Sequence, residues 1–204
     1  MALVHSANRL TEADYLVIER AAAFKSEFYE GEMFAMAGGS PMHSLIAANL
    51  IGTLREKLKT RGCLTFTSDL RVKVEANGLH TYPDVSVVCG EQRFADDTQD
   101  TLVNPTLLAE VLSDATEAYD RGEKFGHYRR IASLQAYLLV SQRAPRIELF
   151  LRGEADQWLL REAEGMEAMI EIPPLDSTLA LQEIFANVKF PAGQLRGTPT
   201  TGSK

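Results

Sequence analysis

A single mixed α/β (α+β) domain, with a central mixed β-sheet flanked by helices, is the fold this chain predicts. Three observations carry it. Apolar residues recur at helical spacing in two separated stretches, short β-rich runs lie between and after them, and no internal repeat or heptad pattern competes. The 204 residues are enough for one full core and nothing in them demands two.

Residues 1–10 show no periodicity and read as an N-terminal extension. Thr11 followed by Glu12 and Asp14 reads as a helix N-cap with early acids, opening a helix to about Ala22. Phe28 to Met36 reads as two strand segments hinged at Gly31. Gly38-Gly39 breaks the strand; Ser40 caps the next helix and Pro41 takes its first position. Leu45, Ile46, Leu50, Leu54 and Leu58 give that helix an apolar face, and Gly62 is placed to end it.

The period then changes to that of strands, over Cys63–Thr67, Leu70–Glu75 and Thr81–Val88, with Asn77-Gly78 a turn. A polar stretch, Glu91 to Pro105, precedes a strand over Thr106–Leu112. A helix over about Tyr119–Ala132 follows, with Tyr128 and Ile131 on one face. Alternation returns over Ala136–Val140, Arg146–Leu151 and Gln157–Arg161, and residues 166–190 hold further strand and a short helix near Leu181–Ala186. The domain thus spans 11–190, and the Gly, Thr and Ser of 191–204 predict a disordered tail.

The 45% hydrophobic and 24% charged content is that of a globular protein. No apolar run is long enough for a membrane span, and the N-terminus lacks the apolar core of a signal peptide, so no membrane association is expected. Cys63 and Cys89 stand far apart without metal-ligand or CxxC spacing, which reads as two reduced thiols in a cytoplasmic protein. A net charge of −7 argues against a protein that coats nucleic acid, although local charge decides for an enzyme. Basic residues cluster at Arg55, Lys57, Lys59 and Arg61 and again at Arg121, Lys124, Arg129 and Arg130, each more simply a solvated helix face than a phosphate contact.

Two carboxylates interrupt apolar strands. Asp84 lies in Tyr82-Pro83-Asp84-Val85-Ser86-Val87-Val88 and Glu110 in Leu107-Leu108-Ala109-Glu110-Val111-Leu112. An ionised group within such a run is costly unless it is paired. For Asp84 the plain alternative is a turn cap after proline; for Glu110 it is a buried ion pair with Arg71 or Lys73. His43 reads by itself as a helix-end residue and Glu32 as part of an exposed hairpin. His5, His43, His80 and His127 are too dispersed for a zinc site, and Ser86 and Ser113 lack a nucleophile elbow.

Pro83-Asp84 with Glu110 on a later strand resembles the PD-(D/E)XK nuclease superfamily. The run Ala109-Glu110-Val111-Leu112-Ser113, with Thr116, Asp120-Arg121 and Lys124 after it, is similar to the bacterial family of inferred restriction endonucleases within it. The Tyr29-Glu30-Gly31-Glu32 hairpin and the helix bearing His43 also match. The superfamily's lysine stands two residues after the acid, where this chain has Leu112; Lys124 matches a lysine migrated to the following helix. Asp114 stands where relatives often carry proline.

The resemblance implies a restriction-endonuclease-like domain and metal-dependent hydrolysis of phosphodiester bonds in DNA. Asp84, Glu110 and Lys124 would be catalytic, with Glu30, Glu32, His43 and Arg121 in support. Mg²⁺, with Mn²⁺ as its substitute, would be held by Asp84, Glu110 and the Val111 carbonyl. Such an ion keeps several waters and needs only one or two carboxylates. It would lower the pKa of a bound water, while Lys124 stabilises the phosphorane charge. Cutting two strands favours a homodimer. Two other readings stay open: a nuclease-fold module that has lost catalysis and binds nucleic acid or protein, and a hydrolase of a smaller phosphate ester.

Overall fold

The computed structural model describes residues 9–190. Most of the extension and the whole tail expected from the sequence lie outside the described residues. In chain order the strands and helices are α1 (Glu12–Ala21), β1 (Ser26–Tyr29), β2 (Glu32–Ala35), α2 (Pro41–Leu58), β3 (Cys63–Thr67), β4 (Arg71–Val74), β5 (Leu79–Thr81) and β6 (Val85–Cys89). There follow β7 (Thr101–Leu102), β8 (Leu107–Val111), α3 (Glu117–Tyr119), a π turn (Asp120–Lys124), α4 (Phe125–Tyr128), β9 (Ala136–Val140) and β10 (Arg146–Arg152). The chain closes with β11 (Trp158–Glu164), β12 (Met169–Ile172), β13 (Ser177–Ala180) and α5 (Leu181–Ile184).

The central sheet has six strands in the order β11-β10-β9-β8-β6-β3, and its one parallel pairing is β8 with β9. A second sheet, β2-β1-β5-β4-β7, has five strands, and β12-β13 forms a small third. Strand alternation assigns the two faces of the central sheet. Val85, Val87, Leu107, Ala109, Val111, Leu138 and Val140 pack against α2, whose Ile46, Leu50, Leu54 and Leu58 are wholly buried. At about 1.5–3 kcal/mol per buried aliphatic side chain, this stripe anchors α2. Val88, Leu108, Leu112, Tyr137 and Leu139 face the other way, joining Val72, Val74 and Leu79 of the second sheet and Tyr128 of α4. Both faces are covered, so the strands read as near-continuous apolar runs. Glu110 lies on the second face, between Leu108 and Leu112.

Several local expectations hold. Thr11 forms a complete capping box with Asp14. Glu30 and Gly31 adopt positive φ (48° and 83°), which closes the β1–β2 hairpin. Ser40 caps α2, with Pro41 in its first turn.

Four expectations are corrected. The run Thr81–Val88 is not one strand: it divides at Tyr82-Pro83-Asp84, where the chain leaves the second sheet (β5) for the central one (β6), as fits a proline that cannot donate to a ladder. The polar stretch 91–105 contains β7, too short to show a period. The later helix runs from Glu117 to Tyr128 rather than from 119 to 132, and a π turn interrupts it. Cys63 and Cys89, read as reduced thiols, are direct cross-strand partners on β3 and β6 and form a disulfide with Cα atoms 4.0 Å apart. Sequence separation hid a pairing that strand register creates. Among the described residues, no helix is long and apolar enough to cross a membrane.

His80 on β5 is fully buried beside Tyr15 and Phe28, and burial pushes its pKa down to about 4. A histidine lowered on folding contributes stability above its unfolded pKa of about 6.5, and that contribution is lost as pH falls toward 4. Thermal unfolding across this window is expected to show a stability loss of about 2–3 kcal/mol, and the His80→Phe protein is expected to show a shallower slope.

Candidate active site

The pairing of Val85 with Ala109 sets the site. One residue before Val85 and one residue after Ala109, Asp84 and Glu110 meet on the same face of the sheet. The Val111 amide donates to Asp84 Oδ2 at 2.8 Å, and the Asp84 amide lies 3.3 Å from Glu110 Oε2. The position where the chain changes sheets is thus pinned to the end of β8. Glu110 is 4% exposed, so its carboxylate must be paired.

Its partner is Lys124, 5% exposed, with Nζ 3.0 Å from Glu110 Oε1. The alternative partners weighed from sequence go elsewhere, Arg71 to Asp100 and Lys73 to Glu12. Asp120, Lys124 and Tyr128 recur at intervals of four along the interrupted helix, and all three are buried. Tyr128 donates to Glu110 Oε1 at 2.8 Å, and Asp120 Oδ1 lies 3.5 Å from Lys124 Nζ. π turns are frequent at functional sites, and Lys124 closes this one.

Sequence reasoning missed Glu27, the fourth acid. It lies on β1, 9% exposed, with Oε1 3.2 Å from Lys124 Nζ and with Thr81 and Tyr119 hydroxyls donating to it. Its signal was faint: the sequence pointed to Glu30 and Glu32 in the same hairpin. Those two are exposed and do not line the cleft, whereas Glu27 faces it. Arg121 also points away, bonding Glu117 and Glu148.

His43, in the first turn of α2, joins the group with Nε2 3.0 Å from Asp84 Oδ2. Ser40 Oγ accepts from the His43 amide and donates to Gln142 Oε1, while Gln142 Nε2 donates to the Leu112 carbonyl. The start of α2 is therefore tied to the end of β8. Gly39 gives the imidazole its place, because a Cβ there would lie 2.7 Å from His43 Nδ1.

Asp84, Glu110, Asp120 and Glu27 converge on one lysine and one histidine, and the charge is acidic in excess. Burial, outweighing Lys124 and reinforced by Asp84 and Asp120, pushes Glu110 up to about 8. Burial also raises Asp120. Burial alone would lower Lys124, but the surrounding carboxylates hold it well above its ordinary value. The Asp84 hydrogen bond raises His43 against the opposing effect of burial. A site whose carboxylates are undercompensated suits a further cation. Among the described residues, no three His, Cys, Asp or Glu side chains gather in ligand geometry. That is compatible with a hard ion using two carboxylates and otherwise water. Among the described residues both contacts to the Asp84 carboxylate fall on Oδ2, which leaves Oδ1 as a ligand oxygen. The four acids, Lys124, His43 and Tyr119 all line one open cleft of about 1270 Å³.

Lys124→Met should cost about 3–5 kcal/mol by leaving buried carboxylates unpaired, whereas Glu110→Gln should cost under about 1 kcal/mol because it removes excess negative charge; urea unfolding of each protein measures both. Gly39→Ala should push the imidazole off Asp84, so the His43 pKa, followed by NMR, should fall from its raised value toward the ordinary 6.5.

The family model described as "Putative restriction endonuclease", Uma2, matches residues 12–182. Two uncharacterized proteins of the cyanobacterium Synechocystis sp. are similar over nearly their whole length. One (sll1609) is 40% identical over 84% of this chain and 97% of its own, and the other (slr1290) 34% identical over 89% and 94%. In fold the chain is similar to the crystal structure of a "putative nuclease belonging to DUF820" from Anabaena variabilis. The TM-score is 0.71 and the identity 17%, covering 86% of this chain and 97% of that one. The chain belongs to the Uma2 family and carries the restriction-endonuclease-like fold.

Proposed function

We propose that the protein is a metal-dependent endonuclease that hydrolyses phosphodiester bonds in DNA. The observation that carries this reading is the convergence of Asp84, just before β6, and Glu110 of the adjacent β8 on an open cleft beside a buried lysine. Family membership supports the nuclease class. Asp84 Oδ1 and Glu110 Oε2 would hold Mg²⁺ or Mn²⁺, with the Val111 carbonyl as a third ligand. The ion would supply a water of lowered pKa and offset negative charge on the phosphate.

The chain's own groups do the rest. Water attacks phosphorus and gives up a proton to solvent, the bond from phosphorus to the leaving deoxyribose oxygen breaks, and that oxygen takes up a proton from solvent. Lys124, fixed by Glu110, Glu27 and Asp120, presents a cation whose position needs no reorganisation as charge grows on the phosphoryl oxygens. Tyr128 and Tyr119 hold Glu110 and Glu27 in place. His43 orients Asp84 by taking Oδ2. Asp114, an added negative charge that would favour an inactive module, is engaged by Arg143 at 2.6 Å and weighs little against catalysis.

The test is cleavage of plasmid, single-stranded DNA and RNA with Mg²⁺ or Mn²⁺ by wild type, Asp84→Ala and Lys124→Ala. Cutting by wild type should fall by about a hundredfold or more in each variant. Equal cutting by all three would mark a contaminant and remove the reading. No cutting by wild type would leave the noncatalytic binding module.

A further inference from the structure

The walls of the cleft bear on which substrate it takes, given the nuclease reading of the same site. Phe34 on β2 is the direct cross-strand partner of Glu27 on β1, so the two side chains share a face. Glu27 touches Lys124, which puts the Phe34 ring on the cleft wall next to the site. Phe34 is 50% exposed and Phe24, also lining the cleft, is 64% exposed. Ala35, Ala37, Gly38 and Gly39 of the adjoining lining are small and Met36 is the one large side chain among them, while the exposure of both rings leaves their faces open. Isolated exposed aromatics need no explanation. Two lining the same cleft, one in register with a site carboxylate, do.

The cations of the cleft are already engaged. Lys25 binds Asp69, Lys124 binds Glu110, and Arg143 binds Asp114. The basic cluster of α2 is no help, since Lys57 pairs with Glu183 near the far end of that helix, about 21 Å from His43 at 1.5 Å per residue. Duplex DNA is gripped mainly by neutralising several phosphates, for which the lysines and arginines lining this cleft number three among the described residues, each beside a carboxylate, and its stacked bases turn no open face to an aromatic ring. Single strands offer bases whose faces are open to aromatic stacking, an attraction that is nearly independent of sequence.

We infer that the cleft takes a single-stranded segment of nucleic acid, with an unpaired base stacked on Phe34 and the adjoining phosphodiester at Asp84, Glu110 and Lys124. This substrate class rests on the nuclease reading. A single-stranded substrate also removes the reason for expecting a two-fold dimer.

The test is fluorescence anisotropy with labelled oligo-dT, oligo-U and a blunt DNA hairpin, using full-length Asp84→Asn protein so that nothing is cut. Single strands should bind more tightly than the hairpin, and the dT and U arms report the preferred sugar. Phe34→Ala should weaken single-strand binding by about fivefold to 150-fold. Phe34→Trp should retain it, and Phe34→Leu should behave like alanine, which separates stacking from simple apolar contact. Hairpin binding as tight as the single strands, or wild-type affinity in Phe34→Leu, would overturn the inference. Cleavage by proteins with native Asp84 distinguishes the two proposals. Phe34-dependent single-strand binding without metal-dependent cutting would overturn the nuclease reading alone. Equal cutting of duplex by wild type and Phe34→Ala would overturn the substrate class alone.

Discussion

The ammonium of Lys124 is the contact on which the site depends. It is buried among Glu110, Glu27 and Asp120, and each of those acids comes from a different part of the chain: β8, β1 and the π turn. A buried charge without partners costs several kcal/mol, so these elements cannot separate without exposing or stranding one. The cluster therefore couples the hairpin of the second sheet to the central sheet. It also does so at the point where Tyr82-Pro83-Asp84 carries the chain between the two.

Such a cluster is poorly justified by stability alone, because well-packed apolar residues would often do as well or better. The carboxylates outnumber their cations, and Glu110 is raised as a result of burial among them. The arrangement makes chemical sense if a divalent ion completes it. Around it the scaffold is rigid: α2 is held by a fully buried apolar stripe, and Ser40, Gln142 and the Leu112 carbonyl lock its first turn against β8. His43 and Asp84 meet because both ends of that link are fixed.

Much of this was legible in the sequence, for reasons specific to each element. Ser40-Pro41 and Thr11 are local cap signals, and the leucines of α2 carry a long helical period. Asp84 and Glu110 stood out because an acid within an apolar run is conspicuous. Glu27 was not legible, since it lies in a four-residue strand between Ser26 and Phe28, too short for an acid to stand out, and its role arises from pairing with residues far along the chain. The Cys63–Cys89 bond and the break at Pro83 were missed for the same reason: register and sheet membership are tertiary facts. The π turn leaves no periodic signature, being one extra residue within a helical pattern.

The central claim is that the Asp84–Glu110 pair is a divalent cation site. Its most direct test is calorimetric titration of Mn²⁺ into wild type, Asp84→Asn and Glu110→Gln proteins, each shown to be folded by circular dichroism. The account predicts saturable binding to wild type that is lost or weakened by about tenfold or more in each variant. No binding to wild type, or equal affinity in all three proteins, would contradict it.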